Sequence, residues 1–195
     1  MKTIIAVTFF AILTYAHANS GVDGKCQNKQ GMENFDSGRY FTGIWYLTHA
    51  MNGSESTVCR QFEYKQKDGQ LEVNAIKYKK KDKSEYFSFD NCNVNQKSDE
   101  NGKFSLDCTR VYDVPDKANK NFHVERTVLK TDYDNYAIVY RCVTTKDGKS
   151  HFKENMWVLH RDKGKDIEDS SILGISKKDY SRSIKNIECK ERQNP

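Results

Sequence analysis

The feature that most constrains the fold of this chain is a series of short segments rich in aromatic and β-branched residues, separated by charged or glycine-containing turns. Residues of these types favour β-strands, and strands at such close spacing are typical of an antiparallel sandwich or barrel. The turns KDGQ, ENGK and KDGK each offer a glycine where a hairpin needs a positive φ. We therefore predict an all-β domain with eight strands: GIWYLTHA, VCRQFEYK, LEVNAIKYK, SEYFSFDN, GKFSLDCT, FHVERTVLK, NYAIVYRCV and HFKENMWVLH.

The pattern changes after the last of these segments. In SKKDYSRSIKNIEC, Tyr180, Ile184 and Ile187 recur at helical spacing behind Ser176, a residue type that favours the N-cap position. This predicts a single C-terminal helix. We expect that helix to pack on the outside of the sheet rather than to carry chemistry.

The amino terminus has the pattern of a secretory signal peptide. Lys2 precedes the apolar run IIAVTFFAILTY, and AHA supplies small residues for cleavage. The apolar run is too short to span a membrane, so membrane insertion is not expected. We expect residues 1–18 to be removed and residues 19–195 to form one domain, because no linker rich in glycine, serine or proline divides the chain.

Secretion determines how the cysteines are interpreted. All six lie in the predicted mature part, and an even number in an oxidising compartment favours three disulfides. Metal binding is disfavoured because neither C-x-x-C nor H-x-x-H spacing occurs. Asn52 begins an NGS sequon, which makes it a candidate for glycosylation along a secretory route.

Charge and motifs exclude several classes of function. The formal net charge is +5, a mild basic excess that is mostly concentrated in KYKKKDK, residues 77–83, a run typical of a solvated turn rather than of a nucleic-acid site. Contact with a polyanionic cell surface stays open as an alternative. No recognised nucleophile, zinc or phosphate-binding motif contains the mature histidines His49, His123, His151 and His160. We therefore expect neither an enzyme nor a metalloprotein.

Three local motifs point to a family once the strands are placed. GIW (43–45) opens the first strand, TDYDNY (131–136) bridges the sixth and seventh strands, and Arg161 follows the eighth. Their order and spacing resemble the lipocalins, whose short characteristic regions are G-x-W, T-D-Y and an arginine near the last strand. The signal peptide, the stretch ENFDSGRYFTGIWYLTHA and the cysteine spacing are similar to the triabin, pallidipin and nitrophorin group of salivary lipocalins from blood-feeding triatomine bugs.

The resemblance implies an eight-stranded antiparallel up-and-down β-barrel with a C-terminal α-helix outside. The arginine would lie across the face of the tryptophan that closes the barrel floor. The implied disulfides are Cys26–Cys142, Cys59–Cys189 and, as a local staple, Cys92–Cys108.

What members of this group bind varies. They take up small mediators of haemostasis (ADP, biogenic amines, thromboxane and leukotrienes), carry haem and nitric oxide, or block clotting and kinin-generating proteins through their outer surface. A haem cofactor is not expected here, because Lys77 stands where the haem-binding members have a histidine, and a protonated amine is a poor iron ligand.

Alternation along the strands predicts which side chains face the inside of the barrel. Taking Trp45 as inward and Cys59 and Cys142 as outward gives the first, second and seventh strands, whereas the sixth and eighth strands follow the family register alone. The candidate ligand-binding residues are Trp45, His49, Lys77, Tyr86, Glu125, Arg141, Asn155 and Trp157. The same reasoning turns further residues inward: Leu47, Val58, Arg60, Phe62, His123, Thr127, Ala137, Val139 and Leu159.

The charges among these candidates favour two kinds of ligand. Lys77 and Arg141 suit a phosphate or carboxylate, which arginine binds bidentately. Glu125 suits a protonated amine, with Trp157 or Tyr86 stacking on its ring. Alternatively, Glu125 and Arg141 pair with each other as part of the barrel structure.

Two functions are therefore expected for a monomeric, secreted salivary protein. In the first, the barrel sequesters a small host agonist, with the charges favouring an ADP- or eicosanoid-type anion over an amine such as serotonin or noradrenaline, and so inhibits platelet aggregation and vasoconstriction. In the second, the barrel is filled, and loops with the charged surface inhibit a coagulation or contact-pathway (kallikrein–kinin) protein of the host.

Overall fold

A computed structural model describes residues 26–51, 59–81, 84–96, 101–115, 117–144, 151–167 and 179–182. All eight predicted strands are present in it. They are β1 (Gly43–Met51), β2 (Arg60–Lys67), β3 (Gln70–Lys81), β4 (Ser84–Gln96), β5 (Lys103–Tyr112), β6 (Lys120–Thr131), β7 (Tyr136–Thr144) and β8 (His151–His160).

The strands close into an antiparallel up-and-down barrel. Each strand from β2 to β7 pairs with the strand that follows it in the chain. β8 then pairs with β1, and β1 pairs with β2, so the sheet returns to its starting strand. The tight turn between β2 and β3 contains Asp68 and Gly69, with φ of 50° and 78°, the positive values that a two-residue hairpin turn requires. The predicted eight-stranded barrel is confirmed.

A ninth strand, β9 (Tyr180–Arg182), pairs with the far end of β1, where Met51 lies opposite Tyr180. β2 pairs with β1 only as far as Leu47, so residues 49–51 have backbone groups on that edge that need another partner. β9 provides it. The prediction of helix is therefore wrong for Tyr180, and the rest of the predicted helix, with Ser176, Ile184 and Ile187, lies outside the described residues.

Two of the three expected disulfides are confirmed. Cys26–Cys142 ties the amino-terminal segment to β7, with its Cα atoms 5.7 Å apart, and Cys92–Cys108 joins directly opposed residues of β4 and β5, with Cα atoms 4.1 Å apart. The third, Cys59–Cys189, was expected to end at a residue outside the described part of the chain. The glycosylation candidate Asn52 and the predicted signal peptide also lie outside it.

Trp45 closes one end of the barrel, as predicted. It is fully buried, and the guanidinium carbon of Arg161 lies 3.6 Å from its ring centroid. The guanidinium also donates to the backbone carbonyls of Thr42, Ile44 and Tyr133, so a single side chain holds together three segments that meet at this end. The short helix α1 (Ser37–Tyr40) adds Tyr40 to the same closed end, 5.4 Å from the tryptophan ring.

The TDY motif fixes the corner between β6 and β7. The carboxylate of Asp132 accepts hydrogen bonds from the backbone amides of Asn135 and Tyr136, and the hydroxyl of Tyr133 accepts one from the backbone amide of Asp36. These contacts are all structural. No helix among the described residues is long and apolar enough to cross a membrane.

Candidate functional site

The candidate site is a cavity inside the barrel, between the aromatic floor and the open end. Apolar side chains such as Phe62, Val73 and Leu106 form much of its wall. The charged side chains that reach it are Arg60, Lys77, Asp90, Arg126 and Arg141. The room for a water-sized molecule in this cavity is about 10 Å³, roughly that of one water molecule, so the space between these side chains is densely filled and strongly cationic.

Three guanidinium groups surround one aromatic ring. The carbons of the guanidiniums of Arg60, Arg126 and Arg141 lie 5.5, 5.5 and 4.8 Å from the ring centroid of Trp157. The ring is itself stacked on Phe62, with centroids 5.6 Å apart. Cation–π contacts of this kind offset part of the cost of burying the arginines. Below, we call Arg60, Arg126 and Arg141 the arginine cluster.

The hydrogen-bonding capacity of the arginine cluster is only partly used. Arg126 donates to the hydroxyl of Tyr64 at 2.9 Å, but the Nε atoms of Arg60 and Arg126 are buried without a hydrogen-bond partner among the described residues. The indole nitrogen of Trp157 is likewise buried without a hydrogen-bond partner among the described residues. Buried donors without acceptors are costly, so an acceptor group placed here would be strongly favoured.

Burial and mutual repulsion both lower the pKa of arginines in the cluster. Burial is the main cause that lowers the pKa of Arg60, to about 10. Burial, followed by repulsion from Arg60 and Arg126, lowers the pKa of Arg141 well below its usual value. A bound anion would remove part of this electrostatic cost, because it supplies the opposite charge at short range.

Asp90, on β4, compensates the cations on the other side of the cavity. Its carboxylate forms an ion pair with Lys77 on β3 and accepts two hydrogen bonds from Arg110 on β5, at 2.6 and 3.0 Å. Burial alone would raise the pKa of Asp90, but Lys77 and Arg110 outweigh that effect and hold it at about 2. Asp90 is therefore a carboxylate at neutral pH.

Several predicted cavity residues occupy the predicted places. Lys77, Arg141 and Trp157 line the cavity, as do Arg60 and Phe62, and Asn155 is buried opposite Arg141 in register. Ala137, Val139, Leu47 and Leu159 belong to the buried core, in agreement with their predicted inward orientation. Val58 lies outside the described residues.

Tyr86 lies at the open end of the barrel rather than in the cavity wall. Its ring is partly buried, 6.4 Å from that of Tyr112, and the amino group of Lys117 lies 4.2 Å from its centroid. Tyr86 is therefore the candidate residue that lies where a ligand would enter the barrel.

The prediction for His49 is wrong. The pairing of β1 with β8 shifts by one residue between Leu47 and His49, which turns His49 away from the cavity. Outside the barrel wall, its ring nitrogens lie 3.0 Å from the carboxylate of Asp166 and 3.0 Å from the hydroxyl of Thr48. Ala50 takes the inward position instead, opposite Trp157.

The predicted register of β6 is wrong by one residue. Glu125 is exposed, and His123 contacts Asp107 at 2.9 Å on the outer face. Thr127 is on the same outer face, where the amino-terminal segment covers it. Consequently the ion pair between Glu125 and Arg141 that was considered as an alternative does not form, since the two side chains lie on opposite faces of the wall. The residues of β6 that line the cavity are Phe122, Val124 and Arg126.

The sequence contains a signal for the inward-facing residues of β6, which the predicted register placed wrongly. Phe122 and Val124 alternate with His123 and Glu125, and apolar side chains at every second position mark the inner face of a half-buried strand. Arg126 follows from that alternation. Asp90 left no comparable signal, because its partners belong to two other strands.

Comparison with known proteins agrees with this architecture. The profile of the triabin family matches residues 18–172. Triafestin-1 of Triatoma infestans is 39% identical over 164 residues, covering 83% of this chain and 79% of that protein. A crystal structure of an LTBP1 mutant in complex with leukotriene C4 is 26% identical, with a TM-score of 0.53 and coverage of 77% and 86% of the two chains.

A second solved structure shares the fold alone. The tryptamine complex of the amine-binding protein of Rhodnius prolixus is 18% identical, with a TM-score of 0.59, and the match covers 82% of this chain and 86% of that one. The barrel topology, the closed end built on Trp45 and Arg161, and the match over most of the chain agree with one another. The chain is a lipocalin and belongs to the triabin family.

Proposed function

We propose that this protein is a secreted salivary lipocalin that binds a small anionic mediator of host haemostasis inside its barrel and thereby inhibits platelet aggregation and vasoconstriction. The observation that carries the proposal is the arginine cluster around Trp157, which faces the cavity and forms no ion pair with a carboxylate among the described residues. Guanidinium groups bind carboxylates and phosphates through paired, charge-assisted hydrogen bonds.

The cavity is less suited to a cationic amine. The acid expected to receive such an amine, Glu125, is on the outer face of the barrel. Asp90 faces inward, but its oxygens are engaged by Lys77 and Arg110. A protonated amine would therefore enter a region of like charge with no acid available to it, whereas a carboxylate or phosphate would meet unpaired donors.

The aromatic and aliphatic wall suits a ligand with an apolar body. Phe62 and Trp157 form a stacked pair beside the arginine cluster, and Val73 and Leu106 continue the apolar surface. An eicosanoid, with a carboxylate on a long hydrocarbon chain, has this combination of groups. The relative solved with leukotriene C4 supports an apolar eicosanoid body as part of the ligand.

Entry of such a ligand requires rearrangement, because the free space is only about 10 Å³. The arginines are long and have many rotamers, so they can withdraw toward the open end while their guanidiniums follow the anion. Binding by rearrangement predicts a slower association than entry into an open pocket.

Calorimetry on the mature, disulfide-bonded protein tests the proposal. A thromboxane analogue, ADP, serotonin and noradrenaline would be titrated under the same conditions, beside an assay of platelet aggregation. We expect at least one of the two anions to bind tightly and neither amine to bind. Tight binding of an amine with no binding of either anion would refute the proposal.

The dense filling of the barrel favours one second candidate. A barrel whose cavity at the arginine cluster has room for about one water molecule can act through its outer surface, as an inhibitor of a coagulation or contact-pathway protein of the host. A clotting-time assay distinguishes the two candidates. Prolonged clotting without binding of any small ligand supports the inhibitor, and the reverse result supports sequestration.

A further inference from the structure

The charged groups inside the barrel are divided between two sides of the cavity. On one side, Asp90 holds Lys77 and Arg110, so that one carboxylate compensates two cations from the neighbouring strands β3 and β5. On the other side, the arginine cluster on β2, β6 and β7 forms no ion pair with an acid among the described residues, and Asp90 acts on Arg60 and Arg141 without a hydrogen bond or ion pair to them. The interior therefore offers a compensated side and an uncompensated side to any ligand.

We propose that Asp90 determines the charge pattern of the ligand: it restricts the barrel to molecules with a single anionic head group and rejects those with a second, separate anionic group. This inference rests on the proposed function, because it concerns an anion bound at the arginine cluster. It assigns Asp90 a role in specificity and no direct contact with the ligand head group.

The donors on the compensated side are already in use. Arg110 donates through two nitrogens to the two oxygens of Asp90, and the amino group of Lys77 forms an ion pair with one of those oxygens. A second anionic group of the ligand would have to compete with this carboxylate. Competition with a bidentate, buried pair is unfavourable because the displaced charge has no other partner.

The carboxylate of Asp90 also repels an approaching anion. Asp90 is only 4% exposed, and charges interact more strongly at buried sites than in water. Its ionised state persists to low pH because Lys77 and Arg110 lower its pKa. Two carboxylates in one small cavity are unfavourable unless one of them takes up a proton.

The head group of the ligand has one favoured position. The arginine cluster, on β2, β6 and β7, converges inside the barrel on the ring of Trp157 on β8. A single carboxylate or phosphate placed there satisfies buried donors and leaves the pair on β3 and β5 intact. The remainder of the ligand then lies against apolar side chains, where a second charge would lose its hydration without compensation.

The experiment compares two probes that share one hydrocarbon body, decanoate and decanedioate, by calorimetry on the mature protein at neutral pH. We expect the unmodified protein to bind decanoate about tenfold more tightly, the ratio that corresponds to one weak charge-assisted hydrogen bond. Asp90→Asn should reduce that preference about tenfold, because the variant removes the repelling charge and releases Lys77 and Arg110. The matched control is Asp107→Asn, which alters an exposed acid on the outer face and should leave the preference unchanged.

A second variant covers the case in which Asp90→Asn does not fold. Arg110→Gln removes one partner of Asp90 from a position whose side chain is 20% exposed, and leaves the carboxylate less compensated. The preference for decanoate should then increase. A preference that is unchanged or smaller in Arg110→Gln would overturn the proposal.

The outcomes separate this inference from the proposed function. If neither probe binds the unmodified protein, the anion-binding function and the role of Asp90 both fail. If both probes bind equally well, or if Asp90→Asn binds them with the original preference, the role of Asp90 fails while binding of anions in the barrel stands.

Discussion

Arg126 on β6 and Arg141 on β7 lie directly opposite each other in register, and both guanidinium groups face the ring of Trp157. Like charges placed directly opposite destabilise a sheet, and burial adds the cost of removing both groups from water. The barrel thus holds at its centre an arrangement that an anion would stabilise.

Replacement of Arg141 by Met should weaken ligand binding without destabilising the ligand-free protein. We expect the affinity for the bound anion to fall by about 1.5–3 kcal/mol, because a charge-assisted hydrogen bond is removed. The ligand-free protein should melt at the same or a higher temperature, since a buried repulsion is relieved. Calorimetry and thermal melts give both quantities.

The control for this variant is Lys67→Met, which removes one positive charge from an exposed position on β2. It should change neither the affinity nor the melting temperature by a measurable amount. Unchanged affinity in Arg141→Met would show that this arginine does not contact the ligand.

Glu125→Gln should have no effect on the binding of any small ligand, whether anion or amine. The side chain is exposed on the outer face of β6, opposite Cys142 in register. Exposed substitutions away from special features alter stability by less than about 0.5 kcal/mol. Weaker binding of serotonin by this variant would contradict the outward orientation found here.

Asp90 should make the stability of the protein depend on pH in the acidic range. Its pKa is lowered from 3.8 to about 2 in the folded state, so its contribution to stability is complete above pH 4 and is lost as the pH falls through 2. The difference corresponds to about 2 kcal/mol. Urea unfolding of the unmodified protein and of Asp90→Asn, between pH 7 and pH 2, measures it.

The comparison with the variant isolates Asp90 from the other carboxylates. Asp132 also has a lowered pKa, since hydrogen bonds from Tyr136 and Asn135 outweigh the effect of burial, but it is present in both proteins. At neutral pH, Asp90→Asn should be less stable by about 3–5 kcal/mol, the cost of breaking a buried ion pair. Equal acid dependence in the two proteins would contradict the assignment.

Arg161→Ala should destabilise the closed end without affecting ligand affinity. The change removes the contact with the Trp45 ring and leaves the carbonyls of Thr42, Ile44 and Tyr133 without this donor. We expect a decrease of about 2–4 kcal/mol in the free energy of unfolding. Arg161→Lys should restore only part of it, because an ammonium cannot match the planar fork of donors. Lys67→Ala, at an exposed position of β2, is the control.

The sequence predicted the orientation of a strand well where a covalent or packing anchor fixed it. Cys142 had to face the amino-terminal segment, and this placed Arg141 inside correctly because side chains alternate in a regular strand. In the same way, the inward orientation of Trp45 placed Leu47 inside correctly. Beyond Leu47 the alternation fails, because a bulge adds one residue to β1, and its position depends on pairing with β8 rather than on the residues of β1 themselves.

The interior charges were harder to predict than the fold. The register of β6 was taken from the family without an anchor of its own, and a shift of one residue exchanged Glu125 for Arg126. The role of Asp90 depends on the relative register of three strands, since Lys77 and Arg110 belong to its two neighbours in the sheet. Pairings of this kind are set by the whole barrel, and no local pattern reports them.

The pairing of β9 with β1 has a consequence for behaviour at high concentration. A protein that neutralises its target one molecule at a time must be secreted in quantity, and a bare strand edge in a crowded solution is a template on which another chain can add. Residues 49–51 of β1 would present such an edge beyond the reach of β2. Because β9 occupies this edge, its backbone groups are not available for pairing with a second chain.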